Sequence, residues 1–307
     1  MQITVLGCGA MGSIYATLLA SSGHDVCAVD QNAIHIHAIN NHGLRVSGAS
    51  GDRTVKIKAY TQVPNKPTEL LVIAVKATHV KAACTTAKPL INRNTLILTI
   101  QNGLGSADNV ADALGEDRLI VGIAQGFGAS LLAPGHAHHN DMKAIKMGAY
   151  SHADSKAVAQ VAAIFRKAGF DASTCQDILA MQWEKLICNV AYSALCALTG
   201  QTVGQVMEDP IIGPISRNAA IEAWQTAVDS NVDIDIADPV QLVQEFAQRM
   251  PNAKPSALLD IEAGRFSEIS MINGAIPRAA AKAGKSAPIN ATLTALVLAL
   301  EQRTIRA

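Results

Sequence analysis

The sequence predicts an α/β amino-terminal half built on a doubly wound sheet, followed by an all-α carboxy-terminal half. Three observations carry this reading. Glycines at positions 7, 9 and 12 stand between an apolar strand pattern and a helix pattern. Strand and helix patterns then alternate as far as about residue 176. Beyond Asp177 the strand signals nearly stop. Alternation of this type implies a mostly parallel sheet wrapped on both faces by helices.

The first elements are the most informative. Ile3 to Leu6 is a short apolar run of strand type, and Ala10 to Ala20 is small, apolar and helix-compatible. Between them runs Gly7-Cys8-Gly9-Ala10-Met11-Gly12, and Asp30 closes a second strand, Val26 to Val29. In a Rossmann-type unit the first glycine permits a tight turn, the second lets backbone approach a pyrophosphate, and the third lets helix pack on strand. The helix N-terminus adds free N–H groups and a positive dipole end. A bound nucleotide is therefore expected on residues 7–12, with Asp30 and Gln31 beside its adenine ribose.

Strand 2–6, helix 10–22, strand 25–30 and helix 33–42 are followed by strands at Leu70–Val75, Thr95–Ile100 and Leu119–Gly122. The stretch 126–149, rich in Gly and His around a Pro134-Gly135 turn, reads as an antiparallel extension of the sheet. Helix 154–168 and a short strand at Phe170–Thr174 complete a dinucleotide-binding domain over residues 1–176. Residues 177–307 read as a helical substrate and catalytic domain. It opens with one long helix, Ile178–Leu198, with Asp177 as N-cap and Gly200 just past its end. Pro210, Pro214, Pro239, Pro251 and Pro288 punctuate the helices that follow. Without a flexible linker, the two domains are expected to share a cleft wall.

Composition excludes several classes. At 307 residues, and a soft prior of about 150 residues per domain, two domains fit. Hydrophobic residues make up 49%, and 25 Lys plus Arg balance 25 Asp plus Glu. That balance offers no electrostatic attraction for nucleic acid or an anionic membrane. No apolar run reaches the roughly 18 residues that span a bilayer, and no charged-then-apolar leader precedes the first strand. Cys8, Cys27, Cys84, Cys175, Cys188 and Cys196 lack C-x-x-C spacing and read as small buried hydrophobes in a reducing compartment. The cytoplasm is the expected location, with a small molecule as partner and a homodimer as the assembly entertained.

The chemistry is expected on the long helix. Lys185, Asn189 and Ser193 stand four residues apart, a step that drifts only about 40° around a helix, so they share one face. Their neighbours Leu186, Ile187, Val190, Ala191 and Leu195 are apolar. An ammonium and an amide on a buried helix are costly unless something polar meets them, and a lysine beside a carbonyl can supply a proton. A snorkelling lysine and a satisfied core amide are the plain alternative. Downstream, Gly264 can interrupt a helix begun at Ser256, and Ser267 can cap the next, placing Glu268 in its first turn. Read alone, these two are a cap and a first-turn acid. His136, His138, His139 and Asp141 crowd one strand, but His138 and His139 point to opposite faces and no Cys or Glu completes a set. No metal is expected. Cys8, near a helix N-terminus, is either a thiol of lowered pKa or, as we read it, a small residue packed under the turn.

Taken together, V-L-G-C-G-A-M-G at 5–12, V-K-A at 75–77, Q-N-G at 101–103, W-x-K-x-x-x-N at 183–189, S-x-x-x-D-I-x-x-G-R-x-x-E-I at 256–269 and I-N-G at 272–274 resemble the ketopantoate reductases (2-dehydropantoate 2-reductases). The resemblance covers essentially the whole chain. It implies an NAD(P)-dependent oxidoreductase of pantothenate biosynthesis, reducing a branched or bulky 2-oxo acid. Carried over by position, Lys185 becomes the general acid and Glu268 its acidic partner at the reacting hydroxyl. Asn189 and Ser256 hold the substrate's hydroxyl and carboxylate. Lys76 and Asn102 line the nicotinamide nucleotide, with Asn102 and Glu268 where cofactor and substrate meet.

Two positions depart from that family. Ser193 stands where a second asparagine is common, which alters the donor pattern offered to substrate. Asp30-Gln31-Asn32 stands where enzymes using NADP carry a basic residue. An Asp suits a free ribose 2′-OH and repels a phosphate, so NAD is mildly favoured over the family's NADP. In this the chain is similar to the NAD-dependent D-2-hydroxyacid (D-mandelate-like) dehydrogenases of the same family. A 3-hydroxyisobutyrate-type dehydrogenase shares the two-domain plan, and the Ser256-to-Glu268 signature argues against it. A non-catalytic NAD(P)-binding sensor would not need Lys185, Asn189, Ser256 and Glu268 together.

Overall fold

The computed structural model describes residues 1–126, 128–141 and 144–305. It divides into two compact units: residues 1–101 with 106–178, and residues 102–105 with those from 179 onward. The short segment 102–105 thus packs with the helical unit although the chain order places it in the first half.

In the first unit the chain runs β1 (Gln2–Leu6), α1 (Ala10–Ser21), β2 (Asp25–Val29), α2 (Ala33–His42), β3 (Leu44–Gly48), β4 (Arg53–Val55), β5 (Lys58–Tyr60) and β6 (Leu70–Ile73). It continues through α3 (Val80–Ala87), β7 (Leu96–Thr99), α4 (Ser106–Leu114), β8 (Leu119–Ala124), β9 (Gly128–Ala133), β10 (His136–Asp141), β11 (Ala144–Ala149), α5 (Ser155–Lys167) and β12 (Asp171–Thr174). The main sheet has the order β12-β11-β8-β7-β6-β1-β2-β5. Its strands pair in parallel except β11, which runs antiparallel to β8. The doubly wound α/β expectation holds, with β1 near the middle of the sheet.

The expected antiparallel extension is half right. Within 126–149, where Phe127, Met142 and Lys143 lie outside the described residues, β11 does extend the main sheet. The hairpin β9–β10 instead builds a second sheet, β4-β3-β10-β9. The reason is long-range: β10 pairs in parallel with β3, and no local pattern reveals such a pairing. Helix α1 lies between the main sheet and this second sheet. That is why Gly12 through Leu19 are all buried and the helix shows no polar face, as a helix enclosed on all sides requires. Tyr15 of α1 meets Phe165 and Phe170 at ring-centroid distances of 6.1 and 5.7 Å, seating α5 on the same core.

The second unit is helical: α6 (Ile178–Thr199), α7 (Val203–Glu208), α8 (Gly213–Asp229), α9 (Pro239–Arg249), α10 (Ser256–Glu262), α11 (Ala275–Lys282) and α12 (Pro288–Ile305). Helix α6 forms the spine of its core, with Leu186, Ile187, Val190, Ala191, Ala194 and Leu195 buried. Gly200, at φ +75°, ends α6 and donates its N–H to the Cys196 carbonyl. Prolines open α8, α9 and α12, where a missing N–H costs nothing. Among the described residues no helix is long and apolar enough to cross a membrane.

One expected helix is absent. After α10, Gly264 adopts φ +64° and the chain makes only a single 3₁₀ turn at Ile269–Met271, with Glu268 at its cap position. Glu268 is therefore not in the first turn of an α-helix. Nor does Ser256 cap α10: it is the first residue of that helix, after Pro255.

Candidate functional site

The glycine loop of the first unit is shaped by contacts that leave no room for a side chain at Gly7 or Gly12. Gly7 has φ +95°, and a Cβ there would run into the backbone of Val75. A Cβ on Gly12 would strike the Gly7 carbonyl, whereas Gly9 faces open space. The amides of Gly7 and Cys8 donate to the Val29 carbonyl at 2.8 and 3.1 Å, which seats the loop next to Asp30. Helix α1 begins at this loop with no side-chain cap and no acidic residue in its first turn.

A buried chain of hydrogen bonds supports the loop from beneath. His35 Nδ1 accepts from the Gly135 N–H at 3.0 Å, so its proton resides on Nε2 and is donated to Ser13 Oγ, 3.3 Å away. The Ser13 hydroxyl in turn donates to the Cys8 carbonyl at 3.3 Å. Cys8 is fully buried, and burial pushes its thiol up to about 12. It is packing, as read from the sequence, and not an activated nucleophile.

Asp30 accepts from the Asn32 N–H at 2.9 Å, and Gln31 beside it is exposed. The two arginines nearest in sequence are engaged elsewhere: Arg45 pairs with Asp52 at 2.6 Å, and Arg53 donates to the Ser50 carbonyl. Lys76 occupies the N-cap position of a short 3₁₀ turn after β6, next to the Val75 that abuts Gly7. Gln101, to which the sequence reading assigned no task, holds this crossing. Its amide donates to the carbonyls of Ile73 and Val75 at 2.7 and 3.1 Å.

In the second unit the structure brings three of the expected residues together. Lys185 Nζ donates to Asn102 Oδ1 at 2.8 Å. Burial lowers the Lys185 ammonium from its usual range to about 8, and the nearby charge of Glu268 partly opposes that fall. Asn102 is held in place by its own loop. The Leu104 N–H donates to the Met271 carbonyl at 3.1 Å, and Gly103, at φ +79°, passes so close that a Cβ would collide with that carbonyl. Asn189, one turn beyond Lys185, is half-buried; Ser193, a further turn on, is 3% exposed. Ser256 is exposed at the start of α10. Neither serine joins the Lys185–Asn102 hydrogen bond.

The I-N-G motif also has a physical role. Asn273, fully buried, donates through Nδ2 to the Val190 carbonyl of α6 at 3.0 Å and to Asn290 Oδ1 at 2.9 Å. Asn290 sits at the start of α12, whose first amides are capped by Glu222. The network therefore ties α6, one residue past Asn189, to α8 and α12.

Other features carry no such chemistry. His136 and His138 both contact Ser47 Oγ, whereas His139 is buried against Ser50. Among the described residues no three His, Cys, Asp or Glu side chains group as metal ligands. Two cavities of about 430 and 910 Å³ open around Met1, Glu69 and Gln160. They lie at the amino-terminal edge of the sheet, whereas ligands of such sheets bind beyond the carboxyl ends of the strands.

Comparison with known proteins is consistent along the chain. The family model described as ketopantoate reductase PanE/ApbA matches residues 3–152, and its C-terminal counterpart matches residues 177–301. The 2-dehydropantoate 2-reductase of Pyrococcus horikoshii is 31% identical, over 98% of both chains. A solved 2-dehydropantoate 2-reductase from Geobacter metallireducens is 31% identical, with a TM-score of 0.89 over 97% of this chain and 99% of that one. A D-mandelate dehydrogenase solved with NADH and anilino(oxo)acetate shares the fold, with a TM-score of 0.89 over 99% of each chain at 24% identity.

Proposed function

Because the chain belongs to the ketopantoate reductase family, we propose that it reduces a branched or bulky 2-oxo acid to the 2-hydroxy acid, ketopantoate to pantoate being the reaction for which its relatives are named. The observation that carries this reading is the half-buried Lys185, whose ammonium donates to Asn102 at 2.8 Å and whose desolvation lowers its pKa to about 8. A proton donor works best when its pKa lies near the operating pH. When bound, a reduced nicotinamide supplies the hydride. Lys185 Nζ gives its proton to the oxygen that forms from the carbonyl. Asn102 Oδ1 keeps Nζ aimed, and Glu268 favours its charged form. Asn189, on the same face of α6, and Ser256 are assigned to the carboxylate and hydroxyl of the substrate. Ser193 stands where a longer amide is common and offers the 2-oxo acid a different donor pattern.

Residues 7–12 suit the pyrophosphate of a dinucleotide. Gly9 is open where backbone must approach it, and the uncapped start of α1 offers N–H groups and a positive dipole end. Lys76 adds a positive charge on the neighbouring loop. Of the two nicotinamide cofactors we assign NAD. Asp30 is aimed by the Asn32 amide, and Arg45 and Arg53 are paired with Asp52 and Ser50. The same observations favour a second reading, an NAD-dependent D-2-hydroxyacid dehydrogenase.

Initial rates followed by nicotinamide absorbance test both, with NADH and NADPH against ketopantoate and benzoylformate. We expect turnover, a kcat/KM that favours NADH, and a smaller preference in Asp30→Ala. The better substrate decides between the two readings. A tenfold preference for NADPH would overturn the role of Asp30. No turnover of any 2-oxo acid would leave a nucleotide-binding sensor.

A further inference from the structure

The segment that carries Glu268 is held by a residue from the far end of the chain. Glu301 lies in the penultimate turn of α12 and is 1% exposed. Its Oε1 accepts from both the N–H of Ser267, at 2.8 Å, and the hydroxyl of Ser267, at 2.5 Å. The oxygen of that hydroxyl accepts from the Ile269 N–H at 3.2 Å. Glu268 is thus bracketed: the residue before it is clamped to a buried carboxyl group, and the residue after it is tied to the same hydroxyl. A carboxyl group buried this deeply on a helix is costly unless its acceptors are used, and two donors from a single residue make a directional clamp rather than a loose tether.

We infer that Glu301 is a positioning residue for the proposed reaction, setting the direction of the Glu268 side chain toward Lys185 through Ser267. This rests on the reading of Lys185 and Glu268 as proton donor and acidic partner. The alternative is that Glu301 only fastens α12 to the loop. The two differ in what Lys185 experiences. If Glu301 sets Glu268, loss of the clamp removes a charge that holds the Lys185 ammonium up.

The test uses the full chain with Glu301→Ala, Glu301→Gln and Ser267→Ala, with Glu268→Gln for comparison. The Lys185 titration is read by NMR on ¹³C-labelled lysine, which needs no turnover, and kcat is read with ketopantoate and benzoylformate. We expect Glu301→Ala to move the Lys185 titration downward by roughly one pH unit, the lower end of what a neighbouring opposite charge contributes. Its kcat should fall by roughly 10- to 100-fold, as for a small misplacement of a reacting group, with the KM for NADH little changed. Glu301→Gln keeps an oxygen where Oε1 stands and should retain most of both properties. Should Glu301→Ala not fold, Ser267→Ala removes the hydroxyl bond to Glu301 and the Ile269 tie while keeping the amide bond, and its titration and kcat should move in the same direction by a smaller amount.

A folded Glu301→Ala or Ser267→Ala variant with an unmoved Lys185 titration and wild-type kcat overturns the inference, whatever its melting temperature. If Glu268→Gln itself leaves titration and kcat unchanged, the underlying reading of Glu268 fails, and the inference with it. If Glu268→Gln alters both while the Glu301 and Ser267 variants alter neither, only the inference fails.

Discussion

Replacing Asn102 with Ala probes the centre of the proposed site, because it removes the acceptor that lies 2.8 Å from Lys185 Nζ. A hydrogen bond to a charged group contributes about 1.5–3 kcal/mol, which corresponds to roughly one to two pKa units at 1.36 kcal/mol each. The acceptor favours the ammonium over the amine, so its loss lowers the Lys185 pKa. From about 8 in the intact protein, the value should fall to roughly 6–7. At pH 8 the protonated fraction then drops from about one half to roughly 1–10%, and kcat for reduction falls by about 5- to 50-fold if proton transfer limits the rate. At pH 6 much of that loss should be recovered. The measurement is kcat for 2-oxo acid reduction between pH 5.5 and pH 9.5 at saturating NADH, for both proteins. A uniformly lower kcat with its alkaline limb still near pH 8 would mean that Asn102 does not tune Lys185. A wild-type limb near the ordinary lysine value would mean that Lys185 is not desolvated, and the argument would fail at its first step.

Three further outcomes are expected. Asn189→Ala and Ser256→Ala should each weaken 2-oxo acid binding by about 1–3 kcal/mol if a substrate group loses its partner; a loss of thermal stability alone would restore the reading of a core amide and a surface serine. Gly103→Ala should lower kcat, because the added methyl collides with the Met271 carbonyl and displaces Asn102; unchanged kinetics would show that the loop accommodates it. His35 is held neutral, with its pKa lowered by burial, so it stabilises the fold above its unfolded value of about 6.5. That contribution should fade as pH falls through 6.5 toward the lower folded value. Melting curves of His35→Gln should lose part of this acid sensitivity, and an identical pH dependence would refute the buried-neutral assignment.

The glycine loop, Asp30 and the face of α6 were legible in the sequence because each depends on spacing within one element. The turn at Gly7, the apolar run of α1 and the four-residue step from Lys185 to Asn189 are local, and local periodicity survives in any tertiary context. The doubly wound sheet followed in the same way, from alternation along the chain. Folding alone decided the partners. Enclosure of α1 between two sheets depends on β3 pairing with β10, a contact across some ninety residues that no window contains. Capture of residues 102–105 by the helical unit rests on the Leu104 amide meeting the Met271 carbonyl, on the close approach of Gly103 to that carbonyl and on the Lys185–Asn102 bond. Where a helix was expected after Gly264 the chain makes a 3₁₀ turn, entered through Ser267, which bonds the buried Glu301. Glu301 had no motif of its own. A carboxyl group near the end of a helix becomes a clamp only once the fold has excluded water from it.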